Sequence, residues 1–192
     1  MKILVSGFET FGHHLENSSE VIVKLIREKR PEISTIILPV TFQDSWPMLK
    51  EKIDLEKPDY VMSLGLAGNR KVISLEKMAI NWIDCDISDN AGIMIREQLI
   101  DPKAPAAYFS TLPLSDFKKL KTNFPFEISL SAGSYLCNYL MYHLLHHTCQ
   151  MKCQGGFIHL PHLGESKDLI YECICEFIDY LSKEPPTRAG DS

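Results

Sequence analysis

The run Met1-Lys2-Ile3-Leu4-Val5-Ser6-Gly7 places Ile, Leu and Val in succession and ends on a glycine, which predicts a buried strand. Similar runs, rich in Ile, Val and Leu and bounded by turn residues, recur at Thr35–Val40, Tyr60–Gly65 and Gly156–His159. Continuous apolar strands are typical of sheets that helices cover on both faces. The sequence therefore predicts an α/β fold with three layers in one domain.

Helical patterns alternate with these strands. A helix is predicted over Ser18–Lys29, with Asn17 as its N-cap and Glu20 three residues after the cap. Val72–Asn81 alternates enough to be a strand or a hairpin arm, and Asp84–Asp101 is rich in turn residues. The other predicted helices cover residues 44–57, Ser115–Asn123, Ser134–Cys149 and Ser166–Leu181.

The composition is that of a globular domain without a nucleic-acid or membrane partner. The chain has 192 residues, of which 23% are charged, and a formal net charge of −5, which argues against a nucleic-acid surface. The N-terminus becomes polar too soon for a signal peptide, and there is no run of eighteen apolar residues, so we expect a cytoplasmic location. Residues 1–183 fit a single domain, and 184–192, which bury no apolar pattern, are expected to form a flexible tail.

The cysteines and histidines do not form a recognisable metal motif. Six cysteines in a chain of this size do not indicate the disulfide framework of a small secreted protein, and their spacings are not those of a zinc site. His143 and His147 share a helix face, but they lack the glutamate of an H-E-x-x-H motif. We therefore expect no metal and no cofactor.

One cysteine is set at the start of a predicted helix. In Ser131-Ala132-Gly133-Ser134-Tyr135-Leu136-Cys137, small turn residues precede the helical pattern, so Cys137 falls in the first turn if Ser134 is the cap. Unpaired N–H groups and the positive end of the helix dipole favour a thiolate there. A later strand ends on His159, and a thiol and an imidazole are the two halves of a cysteine nucleophile. On residue type alone, the alternative stays open that Cys137 is a small core residue and His159 a structural one.

Five blocks of the sequence resemble the pyroglutamyl peptidase I family in one order along the chain. The cysteine and histidine segments are two of them. The others are Gly7-Phe8-Glu9-Thr10-Phe11-Gly12, the stretch from Leu64 through Arg70 to Asn81, and the segment Pro105-Ala106-Ala107-Tyr108-Phe109-Ser110-Thr111-Leu112-Pro113. Together they run from residue 1 to about residue 165. The resemblance implies a mixed, mostly parallel central sheet between helix layers, and a homotetramer.

The resemblance also implies the reaction and its residues. It identifies Cys137 as nucleophile, His159 as acid and base, and Glu76 as the carboxylate that orients the imidazole, in a cysteine peptidase that removes N-terminal pyroglutamate from peptides. A pyroglutamyl end is a neutral lactam, so its pocket needs apolar walls with one donor and one acceptor. The substrate-binding residues expected for these walls are Phe8, Phe11, Tyr135, Ile87 and Leu66.

The chain departs from the family pattern beside the site. Asp86 stands where the family uses an arginine near the developing oxyanion, and a carboxylate there would slow the reaction unless a cation such as Arg70 or Lys71 compensates it. The alternative is a catalytically weak or inactive relative that binds a lactam or a peptide N-terminus. A third possibility, a phosphorylase or another enzyme on a similar sandwich, lacks a glycine-rich phosphate cradle in this sequence.

Overall fold

A computed structural model describes residues 1–12 and 16–183. Its strands are β1 (Ile3–Phe8), β2 (Ser34–Leu38), β3 (Tyr60–Leu66), β4 (Ile73–Glu76), β5 (Met78–Ile80), β6 (Ala107–Phe109), β7 (Phe126–Ser129) and β8 (Gln154–Leu160). Its α-helices are α1 (Ser18–Lys29), α2 (Ser45–Glu56), α3 (Leu114–Phe117), α4 (Leu136–Thr148) and α5 (Lys167–Lys183). The strands predicted at the start of the chain and over Thr35–Val40, Tyr60–Gly65 and Gly156–His159 are all present, with β8 two residues longer at its start than predicted.

Six strands form the central sheet, in the order β2-β1-β3-β8-β4-β7. All neighbouring strands are parallel except β4 and β8, which run antiparallel. β5 and β6 form a separate antiparallel pair. The α/β class and the mixed, mostly parallel sheet are therefore confirmed.

Each face of the sheet has its own apolar core. One core joins the sheet to α1, α3 and α5 through residues such as Ile22 and Phe177. The other joins it to α2 and α4 through Leu49, Ile53 and Leu144. Because both faces are covered, the central strands have no alternation of buried and exposed residues, and all six residues of β1 are buried.

Two short strands and one helix differ from the sequence predictions. β6 and β7 were not expected, because three or four residues with half-exposed side chains give no periodic signal. The helix predicted over Ser115–Asn123 is wrong beyond Phe117. After it the chain makes i→i+3 turns, such as Leu120 N–H to Phe117 C=O at 3.0 Å, and its lysines stay in solvent. The tail predicted at 184–192 lies outside the described residues.

Across the described ranges, no helix combines the length and the apolar character needed to cross a bilayer.

Candidate active site

Three parallel strands of the sheet end at one edge and bring the predicted site residues together. β1 ends at Phe8, β3 at Leu66, and β8 one residue after His159. In open α/β sheets, the carboxyl ends of the strands form the crevice where ligands bind. The register places Gly65 of β3 beside His159 of β8.

The first turn of α4 holds Cys137, and a buried asparagine fixes that turn. Asn138 has no exposed surface, and its Oδ1 accepts from Ile80 N–H at 2.9 Å while its Nδ2 donates to Ile80 C=O at 2.9 Å and to Trp82 C=O at 3.0 Å. The predicted cap is wrong, because the helix begins after Tyr135 without a side-chain cap. Ser134 Oγ instead donates to Asp84 C=O at 2.6 Å, which ties the preceding loop to the segment at 84.

A glycine in β3 makes room for the sulfur over the sheet. A Cβ atom at Gly65 would lie 2.7 Å from Phe157 Cζ and 3.1 Å from Cys137 Sγ. The first distance is shorter than a Cβ contact can be, so any larger residue would displace the Phe157 ring beneath His159. The sulfur therefore lies over the end of β3, beside the end of β8 that carries the imidazole.

The carboxylate of Glu76 contacts the imidazole of His159. Glu76 ends β4 opposite Phe157, which places its side chain diagonally across from His159 on the same face of the sheet. His159 Nδ1 lies 2.7 Å from Glu76 Oε1, and both side chains are buried. This hydrogen bond leaves the other ring nitrogen of His159 for a second partner.

The thiol of Cys137 is that second neighbour, and it governs the protonation of His159. Burial alone lowers the pKa of His159, but the negative charge of Cys137, its hydrogen bonding and the Glu76 carboxylate together raise that pKa from 6.5 to about 9. The imidazole is therefore protonated at neutral pH when the cysteine is a thiolate. The arrangement can deliver a proton to a leaving amine.

Two arginines form ion pairs around the site. Arg70 Nη1 donates to Glu76 Oε1 at 2.6 Å, and Arg70 Nη2 donates to Ser131 C=O at 3.0 Å. The cation beside Asp86 is neither Arg70 nor Lys71. It is Arg96, whose Nη1 lies 2.5 Å from Asp86 Oδ1. The Asp86 side chain is 87% exposed, so its carboxylate faces solvent.

An apolar pocket opens beside Cys137. It has a volume of about 340 Å³, including space open to solvent, and Cys137 forms part of its wall. Its lining residues are Phe8, Phe11, Asn17, Val40, Leu66, Tyr135, Leu136 and Cys137. A thiol, an imidazole and a small apolar pocket thus lie together at the carboxyl edge of the sheet.

Comparison with known proteins agrees with this geometry. The family model for pyroglutamyl peptidase matches residues 1–171. The chain belongs to the pyroglutamyl peptidase family. It is 43% identical over 172 residues to the pyrrolidone-carboxylate peptidase of Pyrococcus furiosus, a match that covers 86% of this chain and 83% of that protein. Pyrrolidone-carboxylate peptidase 1 of Caldanaerobacter subterraneus is 40% identical over 171 residues, covering 86% and 84%.

Solved structures show the same relationship. The crystal structure of a mutant pyrrolidone carboxyl peptidase from Pyrococcus furiosus superimposes with a TM-score of 0.88 at 37% identity, and covers 96% of this chain and 99% of that one. The resemblance to the pyroglutamyl peptidase family is therefore confirmed, and the chain is a cysteine-type hydrolase.

Four of the five residues predicted for the family's pocket line it, and one does not. Phe8, Phe11, Leu66 and Tyr135 are all in the wall. Ile87 is outside the wall and 51% exposed, although Tyr135 Oη donates to the adjacent Ser88 C=O at 3.2 Å. Burial raises the pKa of Tyr135 to about 12, so its hydroxyl stays neutral.

Sequence reasoning missed three residues of the pocket. Asn17 was assigned only as the cap of α1, a role that it also has, since its Oδ1 accepts from Ser19 N–H at 3.0 Å. Val40 follows β2 at the carboxyl edge of the sheet, and Leu136 precedes Cys137. Their positions at strand ends and beside the nucleophile are the signal that could have identified them.

The helix-face histidines have separate partners. The ring of His143 stacks on Trp46, with centroids 5.5 Å apart, and burial lowers the pKa of His143 to about 4. His147 Nε2 lies 2.8 Å from Asp54 Oδ1. In residues 1–12 and 16–183, no three His, Cys, Asp or Glu side chains are grouped so that they could hold a metal ion. All six cysteines are free thiols.

Proposed function

We propose that this chain removes N-terminal pyroglutamate from peptides, with Cys137 as nucleophile, His159 as acid and base, and Glu76 as the group that orients the imidazole. The observation that carries the proposal is the series of contacts Cys137–His159–Glu76 beside an apolar pocket. The relatives are named pyrrolidone-carboxylate peptidases, which supports the same activity.

In the first half of the reaction, the Cys137 thiolate attacks the carbonyl carbon that joins pyroglutamate to the next residue. The oxyanion that forms lies near the start of α4, where Tyr139 N–H makes the first helical bond, to Tyr135 C=O at 3.0 Å. The N–H groups of Cys137 and Asn138 precede that bond and point out of the helix start. The His159 imidazolium then protonates the leaving amine, and a thioester on Cys137 remains.

In the second half, water hydrolyses the thioester with the neutral imidazole as base. Glu76 Oε1 holds Nδ1 of His159, which sets the tautomer with Nε2 towards the reacting atoms. The Glu76 carboxylate stabilises the His159 imidazolium when the imidazole takes up the proton from water. Release of pyroglutamate restores the thiolate.

The pocket supports recognition of a neutral lactam. Its walls are mainly Phe8, Phe11, Val40 and Leu66, which suit an uncharged ring. Asn17 adds a side-chain amide to the wall, and one of its Nδ2 hydrogens is donated to Glu9 C=O at 2.8 Å. We propose that its second hydrogen is donated to the lactam carbonyl of the substrate.

Of the competing interpretations, the weak relative depends on Asp86. That carboxylate is exposed and paired with Arg96, which supports the active enzyme over the weak relative. The cytoplasmic location and the homotetramer stay predictions.

Release of a fluorescent amine from its pyroglutamyl derivative tests the proposal. We expect the wild-type protein to hydrolyse this amide and not the prolyl derivative, which lacks the lactam carbonyl. Alkylation of the thiols and the substitution Cys137→Ala are both expected to abolish hydrolysis. Binding of the pyroglutamyl amide without release of the amine by a folded wild-type protein would instead support the weak relative.

A further inference from the structure

The guanidinium of Arg70 lies between the carboxylate of Glu76 and Ser131, which belongs to the loop that leads to Cys137. Arg70 lies in the connection between β3 and β4, where its N–H donates to Ala67 C=O at 2.9 Å. Its side chain is 23% exposed, so the charged end reaches inward. One nitrogen donates to Glu76 Oε1 and the other to Ser131 C=O, six residues before Cys137.

The carboxylate of Glu76 needs a cation because of where it lies. Glu76 has no exposed surface, and an ionised carboxylate without a partner is very costly in such a place. Among the described residues, Glu76 Oε2 has no hydrogen-bond partner, so the partners that stabilise the carboxylate bind its other oxygen, Oε1. In the part of the chain that the structure describes, Oε1 has two hydrogen-bond partners, Arg70 and His159.

Arg70 and His159 differ in how their charge changes during the reaction. His159 is a cation only until it protonates the leaving amine, whereas a guanidinium keeps its charge throughout. Between the two halves of the reaction, Arg70 is therefore the cation that still faces Glu76. The charged and titratable groups that contact this carboxylate are Arg70 from the β3–β4 connection and His159 from β8, with Cys137 of α4 beyond the imidazole.

We propose that Arg70 is a positioning residue for the hydrolysis: it keeps Glu76 ionised and directed at His159 while the imidazole is neutral, and it holds the loop that leads to Cys137 against the same carboxylate. This inference rests on the proposed function for its kinetic part. The ionisation of Glu76 can be tested separately, because stability reports it without turnover.

The stability experiment compares wild type, Arg70→Gln and Arg70→Lys between about pH 6 and pH 10. At low pH the protonated His159 still compensates Glu76, and at high pH only Arg70 does. We expect the loss of stability in Arg70→Gln to grow as pH rises through the titration of His159. In Arg70→Lys, the part of the stability loss that depends on pH should be small. When Arg70→Gln is added to Glu76→Gln, the further loss of stability relative to Glu76→Gln alone should not depend on pH. A loss that is the same at every pH would overturn the proposal and leave Arg70 a structural tether.

The kinetic experiment uses the pyroglutamyl amide and the neighbouring Lys71→Gln as a matched control, since Lys71 is exposed. Arg70→Gln should lower kcat on the order of tenfold to a hundredfold with little change in KM, the size expected for a lost hydrogen bond to a charged group. Arg70→Lys should recover part of that loss, and Lys71→Gln should match wild type. An unchanged kcat in a folded Arg70→Gln protein would contradict the proposal. An inactive wild type would instead refute the proposed function, and the stability experiment would then decide the role of Arg70.

Discussion

The protonation of His159 follows from the two side chains that it touches. A buried imidazole ordinarily favours its neutral form, yet the Cys137 charge and the Glu76 carboxylate raise its pKa to about 9. Glu76 in turn is buried against Arg70. Because these three side chains contact one another in series, we expect substitutions of Cys137, His159 and Glu76 to be strongly non-additive.

Outside this series, Asp86 should have only a small effect on the reaction. Its carboxylate is exposed and paired with Arg96, and water screens an exposed ion pair strongly. Asp86→Asn should therefore change kcat/KM of the pyroglutamyl amide by less than about fivefold. Arg96→Gln is the matched control. A gain of more than about tenfold in Asp86→Asn would show that its charge does reach the oxyanion.

At the scale of single residues, the sequence predicted which residues belong to the candidate site better than it predicted which side chains pair. Cys137, His159 and Glu76 were assigned from blocks of sequence, and the structure brings them together. The pairing of Arg70 with Glu76 depends on the path of the β3–β4 connection, and the pairing of Asp86 with Arg96 on that of the irregular segment between β5 and β6. Local sequence patterns do not predict the paths that these two connections take.

At the scale of elements, close packing of α4 on the sheet positions Cys137. Gly65 of β3 leaves the space for Cys137 Sγ, and Gly155 of β8 lets Leu144 approach, since a Cβ there would lie 3.1 Å from Leu144 Cγ. Asn138 joins the same helix to β5. The helix was predictable from its periodicity, but its first residue was not, because the predicted cap Ser134 bonds to Asp84 instead.

The end of β1 supplies two aromatic walls with different roles. Phe8 is the last residue of β1, it is 3% exposed, and the centroid of its ring lies 6.5 Å from that of Phe157. Phe11 lies beyond the strand and is half-buried. Phe8 therefore belongs to both the core and the pocket.

We accordingly expect Phe8→Ala and Phe11→Ala to separate stability from binding. Phe8→Ala should lower the free energy of unfolding by about 3 kcal/mol or more and raise KM, because it empties a core site as well as a pocket wall. Phe11→Ala should raise KM at a cost of about 1 kcal/mol or less. Chemical unfolding and Michaelis kinetics on both variants check this. Equal losses of stability, or an unchanged KM in both, would contradict the assignment of the pocket.

At the scale of the whole molecule, the strand order places the site. The sheet was predictable in class from its four long apolar strands, while β4 and β7, which carry and flank Glu76, are short. The antiparallel placement of β4 beside β8 brings Glu76 to His159 across 83 residues of sequence. Apolar patterns indicate that a strand is buried, but not which strand it pairs with.

The free energy of unfolding of the whole protein should depend on pH through the protonation of His159. Its pKa is raised from 6.5 to about 9 in the folded state, so its contribution is fully present below pH 6.5 and is lost as pH rises through about 9. The free energy of unfolding of wild type minus that of His159→Gln should therefore decrease over this window. Urea unfolding at a series of pH values measures it. Parallel curves for the two proteins would show that the imidazole is not held as a cation in the folded state.

The most direct test of Cys137 as the nucleophile is to trap the covalent intermediate. Wild-type protein mixed with excess pyroglutamyl amide, quenched in acid within the first turnover and mapped by mass spectrometry, should carry a pyroglutamyl group on the peptide that contains Cys137. Cys137→Ala should carry none and release no amine. An adduct on another cysteine, or hydrolysis of the amide by Cys137→Ala, would contradict the proposed mechanism.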